Sequence, residues 1–202
     1  MRELLPGIFT WARRSEPHGY DFNGFLVRRP EGNIVIDPVD PSEDDRAAIV
    51  LAGTRSVVLT NRNHSRASNW VRERTGAVVL MHAADTDHAR QQGTLIDAPL
   101  VPGRQVGPFT VVAAPGKSPG EIVLHWPSRR LLVIGDAVIN PPEKGLSLLR
   151  EQVLDDPTLL RRSVRALLAL QPTTLLCGDG IPLCEHATER LSMLTQTFAG
   201  ES

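Results

Sequence analysis

Hydrophobic positions along this chain fall in short runs bounded by turn residues, and helical patterns separate some of the runs. Residues 8–11, 22–27 and 33–37 read as three successive strands, the last two joined by Arg29-Pro30-Glu31-Gly32-Asn33, which has the Pro and Gly chemistry of a hairpin turn. Ser42 followed by Glu43-Asp44-Asp45 opens a helix to about residue 51. A serine with an acid three positions on is a capping-box pattern, the acids suit the positive end of the helix dipole, and Gly53 is a stop. A buried-type strand at 56–60 leads into a loop at 61–68, a helix at 69–75 stopped by Gly76, a strand at 77–81 and a helix at 83–92. That alternation predicts a layered α/β architecture.

The second half opens with strands again, at 109–114, 121–126 and 130–134, with Pro127-Ser128-Arg129 as the turn between the last two. Asp155 or Asp156 caps a helix that has Pro157 in its first turn and continues to about residue 170. A strand at 173–177 and a helix at 185–198 complete the chain. Asn140-Pro141-Pro142-Glu143-Lys144-Gly145 is the extended irregular stretch, a candidate flap beside Gly135-Asp136. Both halves run from strand hairpin to strand, loop and helix, which fits two sheets with helices on their outer faces in one domain over residues 1–202.

Composition narrows the class. Hydrophobic residues make up 41% and charged residues 22% of the 202, a globular balance, and a formal charge of −1 offers no global attraction to nucleic acid or anionic lipid. The Arg pairs (Arg13-Arg14, Arg28-Arg29, Arg129-Arg130, Arg161-Arg162) lack interleaved aromatics and read as solvated faces. No apolar run reaches the roughly 18–20 residues of a membrane span, and Met1-Arg2-Glu3-Leu4-Leu5-Pro6 has no signal-peptide core, so no membrane association and a cytoplasmic location are the expectation. Cys177 and Cys184 have neither redox nor zinc spacing; Cys177 ends an apolar run and reads as a small buried hydrophobe.

Candidate chemistry concentrates in a few loops. Leu59-Thr60-Asn61-Arg62-Asn63-His64-Ser65-Arg66 resembles the T-H-x-H-x-D-H signature of the metallo-β-lactamase superfamily, with Asn61 and Asn63 at two His positions, Ser65 at the Asp position and Arg66 at the last His. The stretch 25–37 is similar to the family's N-terminal hairpin, which ends in an Asp, here Asp37. Ala114-Pro115-Gly116-Lys117-Ser118-Pro119-Gly120-Glu121 is similar to T-P-G-H-S-P-G-S, with Lys117 at a ligand His. Leu132-Val133-Ile134-Gly135-Asp136 resembles the strand ending in G-D, whose Asp bridges two metals in the family, and Gly178-Asp179-Gly180 resembles G-H-G with Asp179 at the His. The resemblance spans most of the chain and implies the four-layer αββα sandwich of the metallo-β-lactamase fold, with a glyoxalase II-like hydrolase frame.

What it does not carry over is the ligand set. A dinuclear zinc site needs imidazoles and carboxylates at about 2.0–2.2 Å from each ion, and of the matched ligand positions only Asp136 is unchanged. An amide nitrogen is no electron-pair donor, and an arginine does not lose its proton. The expectation is therefore that Lys117 and Arg66 take the place of the metal charge and hold Asp136 and Asp179 in internal salt bridges. The bland alternative is that Lys117 faces solvent, Asp136 caps its turn, and Asn61 and Asn63 bond the loop backbone. His64 stands at a variable signature position, where a surface or loop-packing role is expected. His18 lies in a flexible loop expected to border the cleft, His82 and His88 share no helical face, and His125 and His186 read as structural. Ser118 lies in no G-x-S-x-G elbow.

Two functional expectations follow. The first is a pseudoenzyme without a cofactor, binding a small anionic ligand or a protein partner in the ancestral cleft of Asn61, Asn63, His64, Ser65, Arg66, Lys117, Asp136 and Asp179. The second is a hydrolase of small esters, thioesters or lactones, either metal-free or with one divalent ion near Asp136, Asp179 and His64. A homodimer component is a third reading, and nucleic-acid processing is disfavoured by charge and by the lack of an inserted domain.

Overall fold

The pattern of alternating hairpins and crossover helices divides into two compact units, Met1–Val101 and Pro102–Ser202, in a computed structural model that describes residues 1–200. The first unit is a sheet of seven strands whose spatial order repeats the chain order: β1 (Arg2–Leu5), β2 (Ile8–Ser15), β3 (Tyr20–Val27), β4 (Ile34–Ile36), β5 (Ser56–Leu59), β6 (Val78–His82) and β7 (Ala98–Leu100). The early strands are joined by short turns and pair antiparallel. From β4 onward the pairing is parallel, so each link must return across the sheet. Three helices make those returns: α1 (Glu43–Ala52), α2 (Ser68–Thr75) and α3 (Ala83–Gln91).

Every residue of β5 is buried, as befits a central parallel strand covered on both faces. Its side chains Val57 and Leu59 join Leu26, Val35, Ile49, Val71, Val79 and Met81 in one apolar cluster. The caps follow the sequence. Ser42 accepts from the Asp45 amide at the start of α1, and Gly76, in the left-handed region, ends α2.

The second unit holds a five-stranded sheet in the order β12-β11-β10-β9-β8, formed by β8 (Gln105–Val106), β9 (Phe109–Ala113), β10 (Ile122–Trp126), β11 (Leu131–Gly135) and β12 (Thr174–Cys177). Only β11 and β12 pair parallel here, and α4 (Pro157–Leu167) lies between them in the chain; α5 (Ala187–Gln196) follows β12. Asp156 caps α4 by accepting from the Leu159 amide, with Pro157 at the first position. Leu160, Val164 and Leu167, at helical spacing, bury one face of α4 against Val123, Leu132, Ile134, Leu175 and Leu191. Cys177 sits in this cluster, and burial first, then the charge of Asp179, push its thiol up to about 12; it is the inert hydrophobe that its apolar context predicts.

Three short strands, β1, β7 and β8, have no counterpart in the sequence expectation. β1 and β8 are short edge strands with half their residues exposed and β7 contains a proline, so none carries a long apolar run. β2 and β3 run past the predicted ends to Ser15 and Tyr20, because their polar ends continue the same hairpin register. The expected helix to residue 170 is α4 followed by a single 3-10 turn, Leu168–Leu170. The stretch 140–145 expected as a flap is pinned at its base, where Ile139 pairs with Ser147 and Asn140 bridges to Gly180. Among the described residues no helix is long and apolar enough to cross a membrane.

Two glycines of the signature segments are required by space as well as by conformation. Gly116 has φ of 135° and a Cβ there would strike the backbone of Leu160 on α4; Gly180 has φ of 86° and would strike the carbonyl of Asn140. Gly116→Ala is therefore expected to lower the unfolding free energy by about 2–6 kcal/mol, since overpacking and a disallowed φ each cost about 1–3. Urea denaturation followed by circular dichroism reads this directly.

Candidate functional site

In the first unit the signature loop leaves the end of β5 at Thr60 and is anchored by a buried carboxylate. Asp37, fully buried just beyond β4, accepts from the Thr60 amide at Oδ1 (2.8 Å) and from the Thr60 hydroxyl at Oδ2 (2.7 Å). His64 Nδ1 lies 2.9 Å from the same Oδ2 and 3.1 Å from Thr60 Oγ1. Because an ionised carboxylate only accepts and the threonine proton is spent on it, Nδ1 must carry a proton and donate. The imidazole is thus fixed in orientation, with Nε2 on the side away from Asp37.

His64 is fully buried, so of the two roles expected for it the surface one does not hold, and loop packing is what the geometry displays. Asn61 is fully buried as well. Its Oδ1 accepts from the Asn63 amide (2.8 Å) and its carbonyl from the His64 amide (3.2 Å), a local turn that closes the loop on itself. Asn63 is exposed, and the Ser65 carbonyl accepts from the Ser68 amide (2.7 Å) to start α2. Arg66 lays its guanidinium over the Phe22 ring at 4.6 Å.

The second unit positions the remaining signature residues. The Pro115–Ser118 turn is tied to α4: the Ser163 hydroxyl donates to the Pro115 carbonyl (2.8 Å), and the Asp156 amide donates to that of Gly116 (2.8 Å). From this turn Lys117, 6% exposed, places its Nζ 3.6 Å from Oδ2 of Asp136, itself 5% exposed. The expected Lys117–Asp136 pair is therefore present, and the solvent-facing alternative for Lys117 is not. Glu121, buried, accepts from the Asp136 amide at 2.8 Å and so fixes the turn at the end of β11. Asp179, beyond β12 and also buried, offers a carboxylate oxygen within 4.8 Å of one from Asp136.

Taken unit by unit, the side chains at these positions are not the imidazoles that the signature carries. The carboxamide oxygen at the first His position is engaged with the loop backbone, the side chain at the fourth is a guanidinium stacked on Phe22, and the ammonium of Lys117 faces the acid that bridges the metals in the family. Of the ligand types that do suit a cation, Asp136 and Asp179 are paired within the second unit. Ser118 lies buried within its turn. The other histidines are accounted for locally. His18 contacts Ser15 and stacks near Tyr20 and Phe22, His82 caps α3, and His186 pairs with Glu189. Partial burial lowers the pKa of His125, in β10, below the usual histidine range.

Sequence reasoning missed two supports, the hold of Asp37 and Thr60 on His64 and the brace of Glu121 under Asp136. The second left a trace, a large acid where the related segment has a small serine.

Comparison with known proteins agrees with this frame. A sequence model of a family described as the metallo-beta-lactamase superfamily matches residues 1–198. A probable metallo-hydrolase, YflN of Bacillus subtilis (strain 168), is 35% identical over 82 residues, which cover 36% of this chain and 31% of that protein; the match thus spans under a third of the relative's length. The solved structure of TTHA1623 in a di-iron-bound form covers 85% of this chain and 93% of its own, at 25% identity and a TM-score of 0.67. A metallo-beta-lactamase from Erythrobacter litoralis, at 17% identity, gives a TM-score of 0.78 over 97% of this chain and 95% of its own. The two sheets and five helices are those of this fold.

Asp37→Asn keeps a side chain that tolerates the left-handed backbone at this position (φ 48°) but removes the charge opposite His64. Losing this charge-assisted hydrogen bond is expected to cost about 1.5–3 kcal/mol, read as a shift of the urea midpoint.

Proposed function

Because this chain belongs to the metallo-β-lactamase superfamily, whose members set the expectation of metal-assisted hydrolysis, we propose that it keeps the fold while having given up the two-metal reaction, and that it binds a small anionic ligand instead. The observation that carries this reading is the nearly buried Lys117–Asp136 pair at 3.6 Å. A fixed ammonium beside the retained acid already supplies a positive charge there. A divalent ion about 4 Å from that ammonium would be repelled by about 8 kcal/mol at an effective dielectric of about 20. Arg66 and Asn61, at former ligand positions, are hydrogen-bond donors, a character that suits carboxylate or phosphate rather than a cation.

The expected outcome is that protein purified without chelator carries well under one equivalent of zinc, iron or manganese by elemental analysis. Inorganic phosphate or a small carboxylate should raise its melting temperature. One or two tightly held metal equivalents, with no response to any anion, would sink the proposal.

A second reading has its own observation in its favour: the buried carboxylates of Asp136 and Asp179, with oxygens within 4.8 Å of each other, are the kind of pair that holds a single divalent ion. In that case the chain would be a hydrolase of small esters, thioesters or lactones, and the ion's chemistry would be to acidify a water molecule. Glu121 would hold the Asp136 turn in place, and Lys117 would balance the acids. TTHA1623, solved with two irons, and YflN, described as a probable metallo-hydrolase, lend this reading family support. It predicts ester or lactone turnover that Asp136→Ala abolishes together with the bound metal; turnover in that variant equal to wild type would exclude it.

A further inference from the structure

We propose that Asn61 is the residue that recognises the ligand, donating from its carboxamide NH2 to an oxyanion; this rests on the anion-binding reading above and names the group that does the binding. Asn61 is fully buried at the first turn beyond β5. The Asn63 amide donates to its Oδ1 at 2.8 Å, and a backbone N–H can only donate, so the carboxamide cannot be rotated end for end without opposing two donors. The amide orientation is therefore fixed by the loop itself. That leaves Nδ2, buried and with no hydrogen-bond partner among the described residues.

A buried NH2 group requires an acceptor, and its sign is informative. It has no lone pair to give a metal, so the group suited to it is an oxygen acceptor. The neighbouring side chains agree. The Nδ1 proton of His64 is committed to Asp37, and Arg66, five residues along the same loop, holds a planar guanidinium in place against Phe22. A fixed amide donor and a stacked guanidinium in one short loop are the chemistry that recognises a carboxylate or a phosphate. A position that holds a metal ligand in the related signature carries a hydrogen-bond donor here.

The test uses the full chain and two probes, inorganic phosphate and succinate, with affinities from isothermal titration and fold checked by circular dichroism and melting. Asn61→Asp is the informative variant because it keeps the oxygen that accepts from the Asn63 amide and replaces only the NH2. Asn61→Ala removes both and carries no charge. The inference expects wild type to bind at least one probe and both variants to weaken it tenfold or more; the stronger probe identifies the ligand class. If wild type binds and both variants stay within twofold, Asn61 is not the recognition residue, and the anion-binding reading survives without it. If Asn61→Asp weakens binding but Asn61→Ala does not, charge repulsion accounts for the loss and the donor role is overturned. If wild type binds neither probe, the reading and the inference fall together.

Discussion

A charge inside a protein has to be met where it lies, by an opposite charge or by hydrogen bonds, and this requirement governs what each signature position of the chain can do. Asp136 is met by the ammonium of Lys117, while Glu121 holds its backbone amide. Asp37 is met by the Thr60 amide, the Thr60 hydroxyl and the His64 ring. In each unit a carboxylate that the family's frame places beside the catalytic loops is satisfied from within the chain. The substitutions at the ligand positions are consistent with one another in this respect. The cationic side chain at 117 supplies charge, and the amide at 61 holds the shape of the loop.

Much of the scaffold was legible before any coordinates. Ser42, Gly53, Gly76, Asp156 and Pro157 each marked a helix end that the structure keeps, because capping and φ restriction act locally. The strands of the two sheet interiors were legible from their apolar runs. The edge strands β1, β7 and β8 were not, since pairing along one side only imposes little demand on composition.

The site divides along the same line. Lys117 and Asp136 could be placed opposite each other because they sit in a recognisable frame of Pro and Gly residues. The Asp37–His64 contact joins residues far apart in sequence through a variable position of the signature, where no local pattern reports it. Membership of the superfamily fixes the frame and leaves the chemistry open, because function belongs to the particular groups a frame presents. Two features of those groups meet at one acid: Lys117 lies against Asp136, and Asp179 lies close to it.

The backbone at Asp37 narrows what this chain can become. Its φ of 48° lies in the left-handed region that glycine, asparagine and aspartate adopt most readily, and of these only aspartate brings a negative charge to the foot of the signature loop. The turn that carries Asn61 and Asn63 is held from below by this carboxylate as well as by the side chain of Asn61. The whole signature loop of the first unit thus stands on a single buried carboxylate.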